Sequence, residues 1–167
     1  MKVLFKDIDG VLNREGYDAE VPHDLLLGVH NQMRRFRRDD VHRRLKWLLP
    51  EAVERVNRIL DASGAKLVIS STWRLTTTQE EIQILLGARG LTHTIFSMTP
   101  ELPRKMSEIV PRGKEIGAWL QANPGVTSFV ILDDCGVEPY SAQHVWVDPW
   151  VAITDDNVKR ALEILGV

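Results

Sequence analysis

The sequence predicts an α/β fold in which a parallel sheet is flanked by helices. Two observations carry this expectation. Short apolar runs of strand length alternate along the chain with segments whose apolar residues recur at helical spacing. The runs are also rich in β-branched residues and are bounded by Gly, Pro or Asp. A chain of 167 residues fits a single domain with one core. Its 44% hydrophobic and 26% charged residues are ordinary for a globular protein.

Taken in order, Val3 to Phe5 forms the first strand candidate, and Pro50 then suits the first turn of a helix. Val53, Val56, Ile59 and Leu60 repeat along that helix until Gly64 can end it. Leu67 to Ser70 is the second strand, and Glu80 to Arg89 a helix carrying Ile82, Leu85 and Leu86 on one stripe. Thr94 to Ser97 is the third strand, followed by a helix over Gly113 to Ala122 with Ile116, Trp119 and Leu120 inward. Phe129 to Leu132 and Val145 to Val147 complete the sheet. Thr154 can cap a last helix, where Asp155 and Asp156 suit the positive terminus and Val158, Ala161, Leu162 and Leu165 face the core. Residues 11–49 show no clear strand and read as a small flap or insertion within a single domain spanning 1–167.

Charge and cysteine usage exclude several classes. A net charge of −2 and a pI near 6.2 lack the strong basic field of a DNA-coating protein. The single Cys135 cannot form an internal disulfide or a Cys-rich zinc site, which points to a reducing cytoplasm. The apolar start Met1 to Phe5 is too short for a signal peptide, and no run approaches the length of a membrane span. The five histidines show no metal-ligand spacing.

Chemistry is concentrated where strands end. Val3-Leu4-Phe5-Lys6-Asp7-Ile8-Asp9-Gly10 places two carboxylates two residues apart beyond a strand, at the edge where open α/β sheets bind ligands. Such a pair can share a divalent cation or divide nucleophile and acid roles; in isolation the same residues make an ordinary acidic turn. Leu67 to Arg74 ends a strand in Ser70, Ser71 and Thr72, whose hydroxyls suit a phosphoryl oxygen, with Arg74 close by. Pro111-Arg112-Gly113-Lys114 puts a lysine at a helix start, able to neutralise phosphate charge. Phe129 to Asp134 ends an apolar strand in adjacent acids, which is costly at a sheet edge without a cation or hydrogen bonds.

This ordered set resembles the haloacid dehalogenase (HAD) superfamily across nearly the whole chain. Asp-Ile-Asp-Gly-Val-Leu-Asn, the Ser-Ser-Thr-Trp-Arg turn, and Val147-Asp148-Pro149 with Ile153-Thr154 resemble its small subgroup associated with nucleic-acid and RNA repair. The resemblance implies a Rossmann-like sheet with minimal cap and a Mg²⁺-dependent phosphatase, a phosphoric monoester hydrolase. Asp7 would attack phosphorus and form an aspartyl-phosphate, with Asp9 as general acid and base. Asp7, the Asp9 main-chain carbonyl, Asp133 and Asp134 would hold the metal. Ser71, Thr72, Arg74 and Lys114 would bind the phosphorylated substrate, Ser71 and Lys114 taking part in catalysis. The chain departs from the subgroup's pattern at Lys6, where relatives usually carry an apolar residue, and at Ala152, where the pattern suggests glycine.

The spacing leaves no room for a large cap, so an open cleft is expected, one that admits the end of a macromolecule. Residues 34–46 hold Arg34, Arg35, Arg37, Arg38, Arg43, Arg44 and Lys46, a local basic surface suited to nucleic-acid ends or simply a solvated helix face. Trp47 and Trp73 are stacking candidates beside their ordinary role as core or cleft wall, Trp73 the better placed. A broad nucleotide or small-metabolite phosphatase and a non-catalytic binding module are the alternatives.

Overall fold

The computed structural model describes residues 1–103 and 110–167. Five parallel strands form one sheet in the order β3-β2-β1-β4-β5. They are β1 (Lys2–Lys6), β2 (Lys66–Ile69), β3 (Ile95–Met98), β4 (Ser128–Asp133) and β5 (His144–Trp146). The helices are α1 (His23–Gln32), α2 (Arg38–Trp47), α3 (Pro50–Ser63), α4 (Gln79–Ala88), α5 (Arg112–Ala122) and α6 (Asp155–Leu165). The α/β expectation holds, and each of the five expected strands is present within a residue or two.

Local chemistry explains the helix ends. Pro50 opens α3 and Gly64 closes it, while Thr78 with Glu81 and Thr154 with Asn157 form reciprocal caps on α4 and α6. Along the strands, alternate residues face opposite sides. Val3 and Phe5 of β1, Val68 of β2 and Ile131 of β4 meet Ile116 and Trp119 of α5. Leu4, Leu67, Ile69, Val130 and Leu132 join a larger core with α1 to α4 and α6.

Residues 11–49 are more than a loose flap. Leu26, Val29, Val41 and Leu45 bury into the larger core. Buried Arg89 donates Nε and Nη2 to the Leu45 carbonyl at 3.0 and 2.6 Å and Nη1 to the Glu20 carbonyl at 2.9 Å. A guanidinium thereby anchors a segment in which α1 and α2 have no side-chain caps of their own.

Sheet register aligns the reactive strand ends. Lys6 pairs with Ile69 on one side and with Leu132 on the other. The chain fills the sheet outward from β1 through β2 to β3, then returns to the other side with β4 and β5, making β1/β4 a topological switch point. Asp7 and Asp133 flank that point. Among the described residues no helix is long and apolar enough to cross a membrane.

Candidate active site

Asp7 follows β1 by one residue, and its backbone N–H continues the ladder to the Leu132 carbonyl at 2.9 Å. By alternation it shares a face with Phe5, as Asp133 does with Ile131, so both carboxylates turn toward the start of α5. Arg112 meets them there, its Nη2 donating to Asp7 Oδ2 at 3.0 Å and its Nε lying 3.6 Å from Asp133 Oδ2. Asp7 also accepts the Ile8 N–H at 2.6 Å, and the nearby Ser71 hydroxyl favours its charged form.

One guanidinium serves two buried acids, and the acids register the imbalance. Burial raises the Asp7 pKa against the opposing pull of Arg112, Ser71 and the Ile8 N–H. Burial and then the Asp7 charge push Asp133 up to about 7. Asp133 Oδ1 accepts the Cys135 N–H at 2.9 Å, whereas fully buried Oδ2 has no hydrogen-bond partner among the described residues. A carboxylate oxygen left so is costly, and an oxygen-rich cluster short of positive charge fits a hard divalent cation such as Mg²⁺. Asp134 adjoins it, and the Asp133, Asp134 and Cys135 ligand atoms lie within 4.8 Å of one another.

Asp9 sits in different surroundings. It is half-buried; its Oδ2 accepts the Trp73 indole N–H at 3.0 Å and its Oδ1 the Asn13 amide N–H at 3.0 Å. Asn13 in turn accepts the Gly10 N–H at 2.7 Å, closing the turn that carries both acids. Gly10 has φ of +69°, and a Cβ there would lie 2.5 Å from an Asp134 carboxylate oxygen. Only glycine lets the two acidic turns approach so closely.

The hydroxyl turn is buried at Ser71, whose Oγ accepts the Trp73 N–H at 3.4 Å, while Thr72 is exposed. Arg74 turns inward. Its side chain is 4% exposed, pairs with Glu115 of α5 at 2.5 Å and donates to the Ser71 carbonyl at 2.6 Å. Trp73 likewise is a largely buried wall, its N–H committed to Asp9 and Arg44 lying over its ring at 5.1 Å.

At α5 the cation nearest the two acids is one that the sequence motifs did not single out. Lys114 is exposed, and Arg112 is the cation placed against Asp7. Gly113 explains the phase: a Cβ there would come within 1.8 Å of the Glu138 carbonyl oxygen, so this face of the helix presses on the 137–138 loop. The signal was present in the sequence. Extending the Ile116 and Trp119 stripe back by one turn leads to Arg112 and Glu115, not to Lys114.

Two departures from the subgroup's pattern acquire physical content. Lys6 is buried, its Nζ has no hydrogen-bond partner among the described residues, and desolvation pulls its pKa down to about 7 against the attraction of Asp7 and Asp9. Ala152 has φ of +67°, a conformation that glycine adopts freely and that costs an alanine on the order of 1 kcal/mol.

A five-stranded parallel sheet with acids at its switch point, a buried serine beside them and an inward cation defines an α/β domain of the HAD type. The chain belongs to the family described as the HAD domain in Swiss Army Knife RNA repair proteins, which it matches over residues 3–158. Membership places it with HAD-type hydrolase domains of RNA repair. No curated protein and no solved structure matches the chain.

Proposed function

We propose that the protein is a Mg²⁺-dependent phosphatase that removes terminal phosphates from nucleic acid, most simply RNA 3′ ends, through an aspartyl-phosphate on Asp7. The observation that carries this reading is the buried Asp7–Asp133 pair under Arg112, with an Asp133 oxygen lacking any hydrogen-bond partner among the described residues.

Asp7 attacks phosphorus with one carboxylate oxygen, and the bond from phosphorus to the substrate's ester oxygen breaks. Asp9 gives its proton to that leaving oxygen, then accepts a proton from the water that attacks the phosphorus of the acyl phosphate. Inorganic phosphate leaves and Asp7 is regenerated. The unequal surroundings of the two acids suit this division: one is buried beside a cation, the other reachable and oriented by two neutral donors. Ser71 and Arg112 stabilise negative charge on the transferring group. A magnesium ion held by Asp7 and Asp133, with Asp134 and the Asp9 main-chain carbonyl contributing, would neutralise phosphoryl oxygens during transfer. Family membership favours RNA over small metabolites, and the single free Cys135 suits a cytoplasmic setting.

A substrate panel with Mg²⁺ tests the reading. Phosphate release is expected to be faster from 3′-phosphorylated oligoribonucleotides than from mononucleotides, and to fall steeply with salt for the oligomers. Equal turnover of mononucleotides would replace this assignment with a broad nucleotide phosphatase.

A further inference from the structure

Trp47, at the end of α2, lines two adjoining cavities. The first, about 420 Å³, runs from Asp9 past Arg14, Glu15, Tyr17 and Asp18 to Trp47. The second, about 260 Å³, is lined by Arg43, Arg44, Trp47, Thr72, Trp73 and Thr76. They also meet where the Trp73 N–H reaches Asp9 at 3.0 Å.

The two cavities differ in charge. The first mixes Asp9, Glu15 and Asp18 with Arg14, and Asp18 is paired with Lys46 at 2.8 Å, whereas the second carries two arginines and, among the described residues, no carboxylate. A general acid must touch the oxygen it protonates, so the leaving alcohol extends from Asp9 into the first cavity. The two arginines make the second cavity the better seat for a further phosphate, while Trp47, 39% exposed, offers a face to an uncharged ring; Arg14 already lies over the Tyr17 ring at 4.2 Å. On the other side of Trp47, Arg43 is bound through one nitrogen to Asp40 at 2.6 Å and its side chain is 55% exposed. Arg44 lies over Trp73 at 5.1 Å and has no ion-pair partner among the described residues. Threonine hydroxyls at positions 72 and 76 add donors.

We propose that these cavities form one two-part site for a single-strand end. The nucleoside bearing the terminal phosphate rests against Trp47 in the first cavity. The phosphate joining it to the next nucleotide lies in the arginine-lined cavity. The inference rests on the assignment of Asp9 as general acid, and it names a minimal efficient substrate: a dinucleotide with a terminal phosphate, not a mononucleotide. Trp47 and Arg43 thereby become the specificity-determining residues.

Binding separates this inference from the catalytic reading. In an Asp7→Asn background with Mg²⁺, affinities are measured for a 3′-phosphorylated mononucleotide and the matching dinucleotide by competition against a fluorescein-labelled oligoribonucleotide. Adding Trp47→Ala should weaken both ligands about ten-fold or more, with Trp47→Phe restoring most of the loss. Adding Arg43→Ala should weaken the dinucleotide at least about five-fold more than the mononucleotide and reduce its salt dependence. Arg160→Ala, on α6 and paired with Glu163, is the control and should change neither. Equal loss of both ligands on Arg43→Ala, or unchanged binding on Trp47→Ala, would overturn the two-part site. Failure of wild type to release phosphate from any substrate would remove the catalytic reading, whatever these affinities show.

Discussion

Arginine–carboxylate pairs occur on both sides of the sheet, and they differ in what surrounds them. On the α5 side, Arg112 with Asp7 and Arg74 with Glu115 are enclosed, with side chains between 4% and 13% exposed. On the α1–α2 side, Arg35 with Glu81 and Arg43 with Asp40 stand at the surface, both arginine side chains more than half exposed. The same chemical pair therefore has two uses. Enclosed, it fixes Asp7 and the serine turn at high cost if one partner is lost. Exposed, it contributes little to stability and leaves its cations available to a polyanion.

The largest effect that would sharpen this contrast is at Arg112. Arg112→Ala is expected to lower kcat/KM by at least about a hundred-fold, because both buried acids lose their shared cation. Lys114→Ala, two residues on and exposed, should stay within about three-fold in the same assay. Equal losses would mean that Lys114 also reaches the phosphate.

Next comes the pair that joins the serine turn to α5. Glu115→Ala leaves Arg74 buried without its counter-charge and should cost about 3 kcal/mol or more in urea unfolding. A change within about 0.5 kcal/mol, the usual size for exposed pairs, would erase the distinction between the two sides.

The smallest effect lies on the exposed side. Arg35, and then the Thr78 donors, hold the Glu81 pKa at about 2, below its ordinary value of 4.5. A depressed folded pKa stabilises the protein above the unfolded value, and that contribution disappears as pH falls from about 4.5 through about 2. Glu81→Gln should therefore lower the urea midpoint at pH 7, by the equivalent of about 1 kcal/mol or less for so exposed an arginine partner, and flatten this acid limb, so that variant and wild type converge as pH falls toward about 2. A large loss at pH 7 would show that the surface pair carries more than its exposure implies.

Much of this arrangement was legible in the sequence because strand ends and helix caps are local signals. The apolar runs located five strands, and the acids just past β1 and at the end of β4 marked the switch point. Arg112 was missed because a lysine at a helix start looked sufficient, although the Ile116 and Trp119 stripe already set the helical phase. Trp73 could be read from the sequence as core or cleft wall, or as a stacking candidate beside the hydroxyl turn; its hydrogen bond to Asp9 spans 64 residues and has no local signature. Residues 11–49 resembled a flap for a similar reason. The apolar contacts of α1 and α2 and the Arg89 anchor are tertiary, and the arginine-rich surface of α2 obscures its buried Val41 and Leu45.

The most direct measurement is an acid quench of a single turnover using a substrate radiolabelled in its terminal phosphate, with Mg²⁺ and enzyme in excess, followed by peptide mapping. Transient label on the peptide containing Asp7, absent in Asp7→Asn, is the predicted result. Phosphate release without any protein-bound label, or label mapping to Ser71, would contradict an aspartyl-phosphate on Asp7.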